Sequence, residues 1–190
     1  MLDRPLPLTT KLGAPVVLRR LTAGDAESFA AHVVRGGEPL RAHLPWPDVT
    51  GTPDEARAWL TPYEQCEDGR VVAAGAWRGD ELVGGGVLFH HDSATATVEL
   101  GTWVVGDAVG AGVASAVCRE LIALAHDPLG AHRVTWQCVA ENETSLRLAR
   151  RLGFRHEGTL RQSYVLRDER HDIHVLGLVG DEIERAASRA

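Results

Sequence analysis

Gly106, Gly110 and Gly112 fall between a β-branched run and a run whose apolar residues recur at helical spacing. Missing Cβ atoms let backbone N–H groups approach a ligand there, and a helix start adds partial positive charge, so the turn suits a pyrophosphate. Glycines at such a joint also serve as plain turn and packing residues. Glu99 shares a strand face with Gly101, Trp103 and Val105, and Gly101 leaves room beside its carboxylate. The plain alternative is an exposed acid in a surface ion pair. Ser145 shares a helix face with Leu148, Ala149 and Leu152 and therefore points inward. A buried hydroxyl needs a partner, and the ordinary one is the Glu141 carbonyl one turn back. His90-His91 and His171-Asp172-Ile173-His174 have the side chains of a metal site, but strand alternation sends i and i+1, or i and i+3, to opposite faces. Surface or hairpin histidines are the expectation, with no metal.

These residues need a frame. Val16 to Leu21 has strand composition, and Thr22-Ala23-Gly24-Asp25 opens a helix to about Val34. Gly36 to Gly51, rich in Gly and Pro around His43, Leu44 and Trp46, should be irregular with an anchored aromatic. Thr52-Pro53-Asp54-Glu55 is a capping box that opens a second helix to about Glu67. Arg70 to Arg78 and Glu81 to His91 flank the hairpin pair Gly79-Asp80, and Asp92-Ser93 turns into a strand over Ala94 to Val105. Val113, Val117, Leu121 and Leu124, with Cys118 and Ile122, form the stripe of the central helix, which Asp127-Pro128 and Gly130 stop. Arg133 to Ala140 alternates as a strand and, after a helical crossover, should run parallel to the strand before that helix. Asn142 caps a helix ending at Leu152-Gly153, Phe154 to Leu166 and His171 to Val179 form a last hairpin, and Asp181 to Ala190 is a charged tail, helical if ordered.

The chain has 190 residues, net charge −6 and three cysteines. That length supports one domain over residues 1–190, burying roughly 70% of the surface the unfolded chain exposes. Cys66, Cys118 and Cys138 stand in no ligand spacing and look like small core residues of a reduced cytoplasm. No signal pattern and no apolar run of about 20 residues is present, so a soluble cytoplasmic protein without a membrane role is expected. The basic residues are Arg except for Lys11 and are scattered, which does not support nucleic-acid binding. An acidic balance is compatible with a cationic amine substrate. A dinucleotide fold is disfavoured, since position 115 is Ser where a third small fingerprint residue belongs and the turn lies past mid-chain.

The order strand, two helices, three-strand meander, glycine turn, helix, strand, helix, hairpin resembles the GCN5-related N-acetyltransferase (GNAT) fold. HLPWP at 43–47, ELGTWV at 99–104, GAGVA at 110–114, HRV at 132–134, ENETS through RLGF at 141–154, EGTLR at 157–161 and HD at 171–172 resemble the RimJ/RimL-type ribosomal-protein N-terminal acetyltransferases. The resemblance covers Val16 to Val179. It implies an α+β fold with a mixed, mostly antiparallel central sheet, splayed between its two parallel central strands and carrying helices on both faces.

It further implies an acetyl-CoA-dependent N-acetyltransferase that moves an acyl group to a primary amine, either a protein N-terminus or a small molecule, by direct attack in a ternary complex. A non-catalytic acyl-CoA sensor and a transferase of a bulkier group such as succinyl are the alternatives, and the family reading allows a homodimer. By resemblance, Glu99 is the general base and Ser145 the acid, with Tyr164 in reserve. A backbone N–H near Trp103, Val104 or Val105 receives the oxyanion, and Val109, Gly110, Ala111, Gly112, Val113 and Ala114 form the CoA loop. Asn142 and Arg147 also contact the cofactor, and Trp46 and Tyr164 the acceptor. The family's usual polar residue and a position often basic are Val109 and Ala111 here, so the loop keeps its backbone donors and lacks two side-chain contacts.

Overall fold

A computed structural model describes residues 2, 4–66 and 71–188. Its frame is an eight-stranded sheet in the order β1-β2-β3-β4-β5-β6-β8-β7. The strands are β1 (Leu6–Leu8), β2 (Val16–Arg20), β3 (Val72–Arg78), β4 (Glu81–Asp92), β5 (Thr97–Val104), β6 (Arg133–Val139), β7 (Arg155–Leu166) and β8 (Glu169–Val179). All neighbours pair antiparallel except β5 and β6, which run parallel. The helices are α1 (Ala26–Arg41), α2 (Pro53–Glu64), α3 (Val113–His126), α4 (Glu143–Leu152) and α5 (Asp181–Ala187). The expected ends of α2 at Glu67 and of the tail at Ala190, and the expected start of β3 at Arg70, lie outside the described residues.

Two apolar clusters cover the two sheet faces. Phe29, Val33 and Leu40 of α1 and Ala56 and Leu60 of α2 pack with Trp77, Leu82, Trp103 and Val105 on one side. On the other, Val117, Leu121 and Ile122 of α3, Leu148 and Leu152 of α4 and Ile183 of α5 pack with Leu88, Leu100, Val134, Trp136 and Leu176. The α3 stripe is thus core, as its spacing requires, although Leu124 is only partly buried.

Parallel pairing of β5 with β6 is short: Thr97↔Arg133, Val98↔Val134 and Glu99↔Thr135. Beyond Glu99 the strands part, each held by its other neighbour: β5 stays on β4 to Val104, and β6 on β8 to Val139. This splay is the opening in the sheet around which the site is built.

Three local expectations are corrected. First, α1 does not stop near Val34 but continues to Arg41 through a kink at Gly37 (φ 51°, ψ −145°). The kink lets Pro39 sit in the first turn of a new helical segment, where no N–H is needed. A Cβ on Gly36 would come within 2.9 Å of Leu40 and Val105 side-chain carbons, so glycine permits that approach of helix to strand. Second, Gly36 to Gly51 is accordingly only partly irregular, with a 3-10 turn at Trp46–Val49. Third, Cys118 and Cys138 are core residues, but Cys66 is only half-buried at the end of α2. Strand β1 was not legible, being three residues long with Pro7 at a sheet edge. The Thr52–Glu55 capping box forms as expected. Among the described residues no helix is long and apolar enough to cross a membrane.

Candidate active site

The glycine turn ends in an uncapped helix. Gly112 is the N-cap of α3 at φ 86°, and among the described residues no side chain caps it. First-turn N–H groups of a helix have no intrahelical acceptor, so those from Val113 and Ala114 onward remain as anion donors. A Cβ added at Gly110 or Gly112 would meet nothing within 4 Å, so the space in front of the turn is open. Val109 is 58% exposed at its rim. Ala111 accepts a backbone hydrogen bond from the Lys11 N–H at 2.8 Å, which ties the N-terminal strap to the loop.

From the loop, β5 leads back along the splay. The Val105 N–H donates to Val83 O on β4 at 3.3 Å. Antiparallel pairing alternates, so Val104 turns its N–H to the opposite edge, where β6 has diverged. Among Trp103, Val104 and Val105, Val104 is therefore the residue whose donor faces the opening. The Trp103 side chain is core, only 5% exposed. Its Nε1–H donates to His32 Nε2 at 3.1 Å, and His32 Nδ1 donates to Leu82 O at 2.8 Å. An indole only donates and a carbonyl only accepts, which fixes this tautomer. Burial pushes the His32 pKa down to about 4, so the ring is neutral.

Glu99 lies where the parallel pairing ends, on the α1–α2 side with Trp103. Its side chain is 15% exposed. Oε2 accepts from His90 Nδ1 at 3.2 Å and from the Gln137 amide of β6 at 3.1 Å. Burial raises the carboxyl above its ordinary pKa, against the two hydrogen bonds that lower it. A carboxylate so placed is more basic than one in water and keeps access to solvent, which is what a proton acceptor needs. A Cβ on Gly101 would stand 3.2 Å from a Val87 methyl, so the glycine keeps the strand free of crowding beside Glu99.

Ser145 is on the other face. Asn142 Oδ1 accepts from its N–H at 3.0 Å, the expected cap of α4. Its Oγ accepts from Trp136 Nε1 of β6 at 3.0 Å, not bonding back to Glu141. Because the indole is a donor, the serine's own proton is directed elsewhere. It also hydrogen-bonds the Cys138 thiol, whose pKa burial raises. Burial pushes the Cys118 thiol up to about 12. Both thiols are therefore protonated at neutral pH and are poor nucleophiles.

Arg147 lies on the exposed face of α4, bonded to Glu143 (2.9 Å) and Thr144 (3.2 Å). Tyr164 is half-buried on β7 opposite His171, with its hydroxyl pKa raised by burial. Trp46 packs on Phe29, Trp59 and Trp103 at centroid distances of 5.5, 5.4 and 5.2 Å. Arg167, in the turn of the last hairpin, reaches Asp48 at 2.8 Å and Arg41 O at 2.5 Å, joining that hairpin to the Trp46 loop. Glu99 and Ser145 are thus brought to opposite faces of the splay, and the loop to its end. His90, Gln137 and Trp136 were missed as partners. Neither the strand register nor the β4 irregularity that aims His90 has a local sequence signature.

His171 meets Glu141 at 3.5 Å and His174 meets His156 at 3.2 Å. Among the described residues no group of three or more His, Cys, Asp or Glu is arranged to hold a metal.

The acetyltransferase (GNAT) domain family model matches residues 16–155. A Bacillus subtilis (strain 168) protein, YdaF, provisionally named a ribosomal N-acetyltransferase, is 28% identical over 178 residues, spanning 93% of this chain and 97% of the relative. Phosphinothricin N-acetyltransferase of Streptomyces coelicolor is 33% identical over 115 residues, 58% of this chain and 66% of that one. The solved structure of Mycobacterium smegmatis RimJ in complex with CoA-disulfide superposes with a TM-score of 0.88 at 20% identity, covering 99% of this chain and 93% of that one. The chain belongs to the GNAT acetyltransferase family and is an N-acetyltransferase.

Proposed function

We propose that this enzyme transfers the acetyl group of acetyl-CoA to the α-amino group of a protein N-terminus, within one domain and by direct attack. The observation that carries this reading is the placement of Glu99 and Ser145 on opposite faces of the β5–β6 splay. A thioester in that opening would have a base on one side and a hydroxyl donor on the other. The open face at Gly110 and Gly112, with an uncapped helix behind it, suits the pyrophosphate of CoA. Acetyl-CoA, when bound, would supply the activated acyl thioester.

The protein's own residues do the rest. The α1–α2 side, with Trp46 and the Arg167 tether, receives the acceptor. Glu99 takes a proton from the incoming ammonium, directly or through water, and leaves a neutral amine to attack. The Val104 N–H faces the acyl oxygen as negative charge grows on it. The Ser145 hydroxyl donates a proton to the departing sulfur and regains one from the nitrogen or solvent.

The protein-substrate reading is supported by the name of the YdaF relative, which aligns over nearly the whole chain. A small-molecule amine is the second reading, favoured by the phosphinothricin N-acetyltransferase match. A cytoplasmic setting goes with the first. The test is CoA release from acetyl-CoA with N-terminal peptides and small amines side by side. Turnover of peptides supports the first reading, turnover of small amines alone the second. CoA binding without turnover of any amine would contradict both.

A further inference from the structure

Strands β4 and β5 keep register from Gly84↔Val104 to Phe89↔Glu99, and the next pair is Asp92↔Thr97. Two residues of β4, His90 and His91, therefore stand against Val98 alone, which is a β-bulge. Phe89 is directly opposite Glu99, so regular alternation would send His90 to the other face. The bulge cancels that alternation. His90 takes φ 51°, an uncommon conformation for a residue with a side chain, and its ring turns back against Phe89 at a centroid distance of 4.5 Å. Nδ1 then lies 3.2 Å from Glu99 Oε2.

Burial does not explain this arrangement, because the His90 side chain is 75% exposed against 15% for Glu99. Nor do the bonds spread over the carboxylate. Those from His90 and Gln137 both end on Oε2, so among the described residues Oε1 is the oxygen left for a new proton. We propose that His90 is a positioning residue: its Nδ1–H holds Oε2 so that Oε1 is presented to the amine in the opening. In that step an ammonium N–H bond breaks and an Oε1–H bond forms. The proton then passes to solvent and restores the carboxylate, while His90 keeps its Nδ1–H throughout. This rests on the reading of Glu99 as the base.

The test uses the full-length enzyme, acetyl-CoA and a reactive amine. His90→Gly accepts the positive φ and removes the ring, and His90→Asn tolerates the same φ and offers an amide donor near the place of Nδ1. Among the described residues the groups bonded to the Glu99 carboxylate are His90 from β4 and Gln137 from β6. His90→Gly should lower kcat roughly tenfold, the loss expected for one hydrogen bond to a charged group, with the KM for acetyl-CoA unchanged. The acidic limb of its kcat profile should move to higher pH, because the His90 bond holds the carboxyl down against burial. His90→Asn should recover most of the rate and return the limb. Wild-type rates and limbs in both variants, with Glu99→Gln slow, would overturn the proposal. So would equal slowing in both with an unmoved limb, which makes the ring a structural prop. A Glu99→Gln enzyme at wild-type rate would overturn it differently, by removing the base on which it rests.

Discussion

The Gln137 amide nitrogen stands 3.1 Å from Glu99 Oε2, bridging β5 and β6 at the point where their pairing ends. The bond ties the carboxylate to the far lip of the splay. Gln137→Leu should keep the fold, since the residue is exposed, and lower kcat while CoA affinity is retained. One lost hydrogen bond to a charged group corresponds to roughly 1.5–3 kcal/mol, or about ten- to a hundredfold. Steady-state kinetics beside CoA titration check it; an unchanged kcat would leave the bridge without a catalytic part.

Gly112→Asp should weaken CoA binding strongly and spare the fold. Asp tolerates the left-handed conformation at φ 86° better than most residues, and an added Cβ there meets nothing within 4 Å. Its carboxylate would occupy the helix end proposed to attract the pyrophosphate. Calorimetry should show CoA affinity reduced by roughly a hundredfold, about 2.7 kcal/mol. Unchanged affinity in a folded variant would move the cofactor site elsewhere.

Ser145→Ala removes the acceptor of the Trp136 indole as well as the proposed acid. Stability should fall by about 1–3 kcal/mol for the orphaned N–H, and turnover should slow separately. The two effects part company on the acyl donor: a thioester with a more acidic thiol should restore much of the rate and none of the stability. Equal slowing with both donors would make Ser145 a positioning residue and pass the acid role to Tyr164 or solvent.

His32 makes stability depend on pH. Its pKa is about 4 in the fold against 6.5 when unfolded, so below pH 6.5 the unfolded chain binds a proton that the folded chain refuses. The contribution is intact above pH 6.5 and is lost progressively as pH falls to 4, reaching roughly 3 kcal/mol. Denaturation of wild type and His32→Gln between pH 7 and 4 should show the steeper loss in wild type. Parallel curves would mean that His32 does not report the burial seen beside Trp103.

Patterns with a local cause were readable from the sequence. The Thr52–Glu55 capping box, the Gly79-Asp80 turn, the α3 stripe and the Asn142 cap each follow from a few adjacent residues, and all formed. The glycine turn could be placed, as could the parallel partner of β5, because a helical crossover forces it. What could not be read depends on register. Gln137 faces Glu99 only because pairing begins at Thr97↔Arg133, and His90 faces it only because β4 carries a bulge. The Trp136–Ser145 bond displaced the expected carbonyl partner since α4 lies over β6, a packing relation that helix periodicity does not encode. The continuation of α1 to Arg41 was hidden for the opposite reason: Gly and Pro signalled a break, and the chain used them for a kink.

In the proposed mechanism Glu99 deprotonates the amine from one face of the splay. Glu99→Gln keeps the shape, and an amide cannot take the proton. The decisive measurement is kcat for this variant and wild type across pH, with CoA affinity titrated in parallel. The expected result is a fall of roughly 10²–10⁴-fold near neutral pH, shrinking as pH rises and the amine arrives already neutral, with CoA affinity unchanged. A kcat equal to that of wild type at every pH would contradict it.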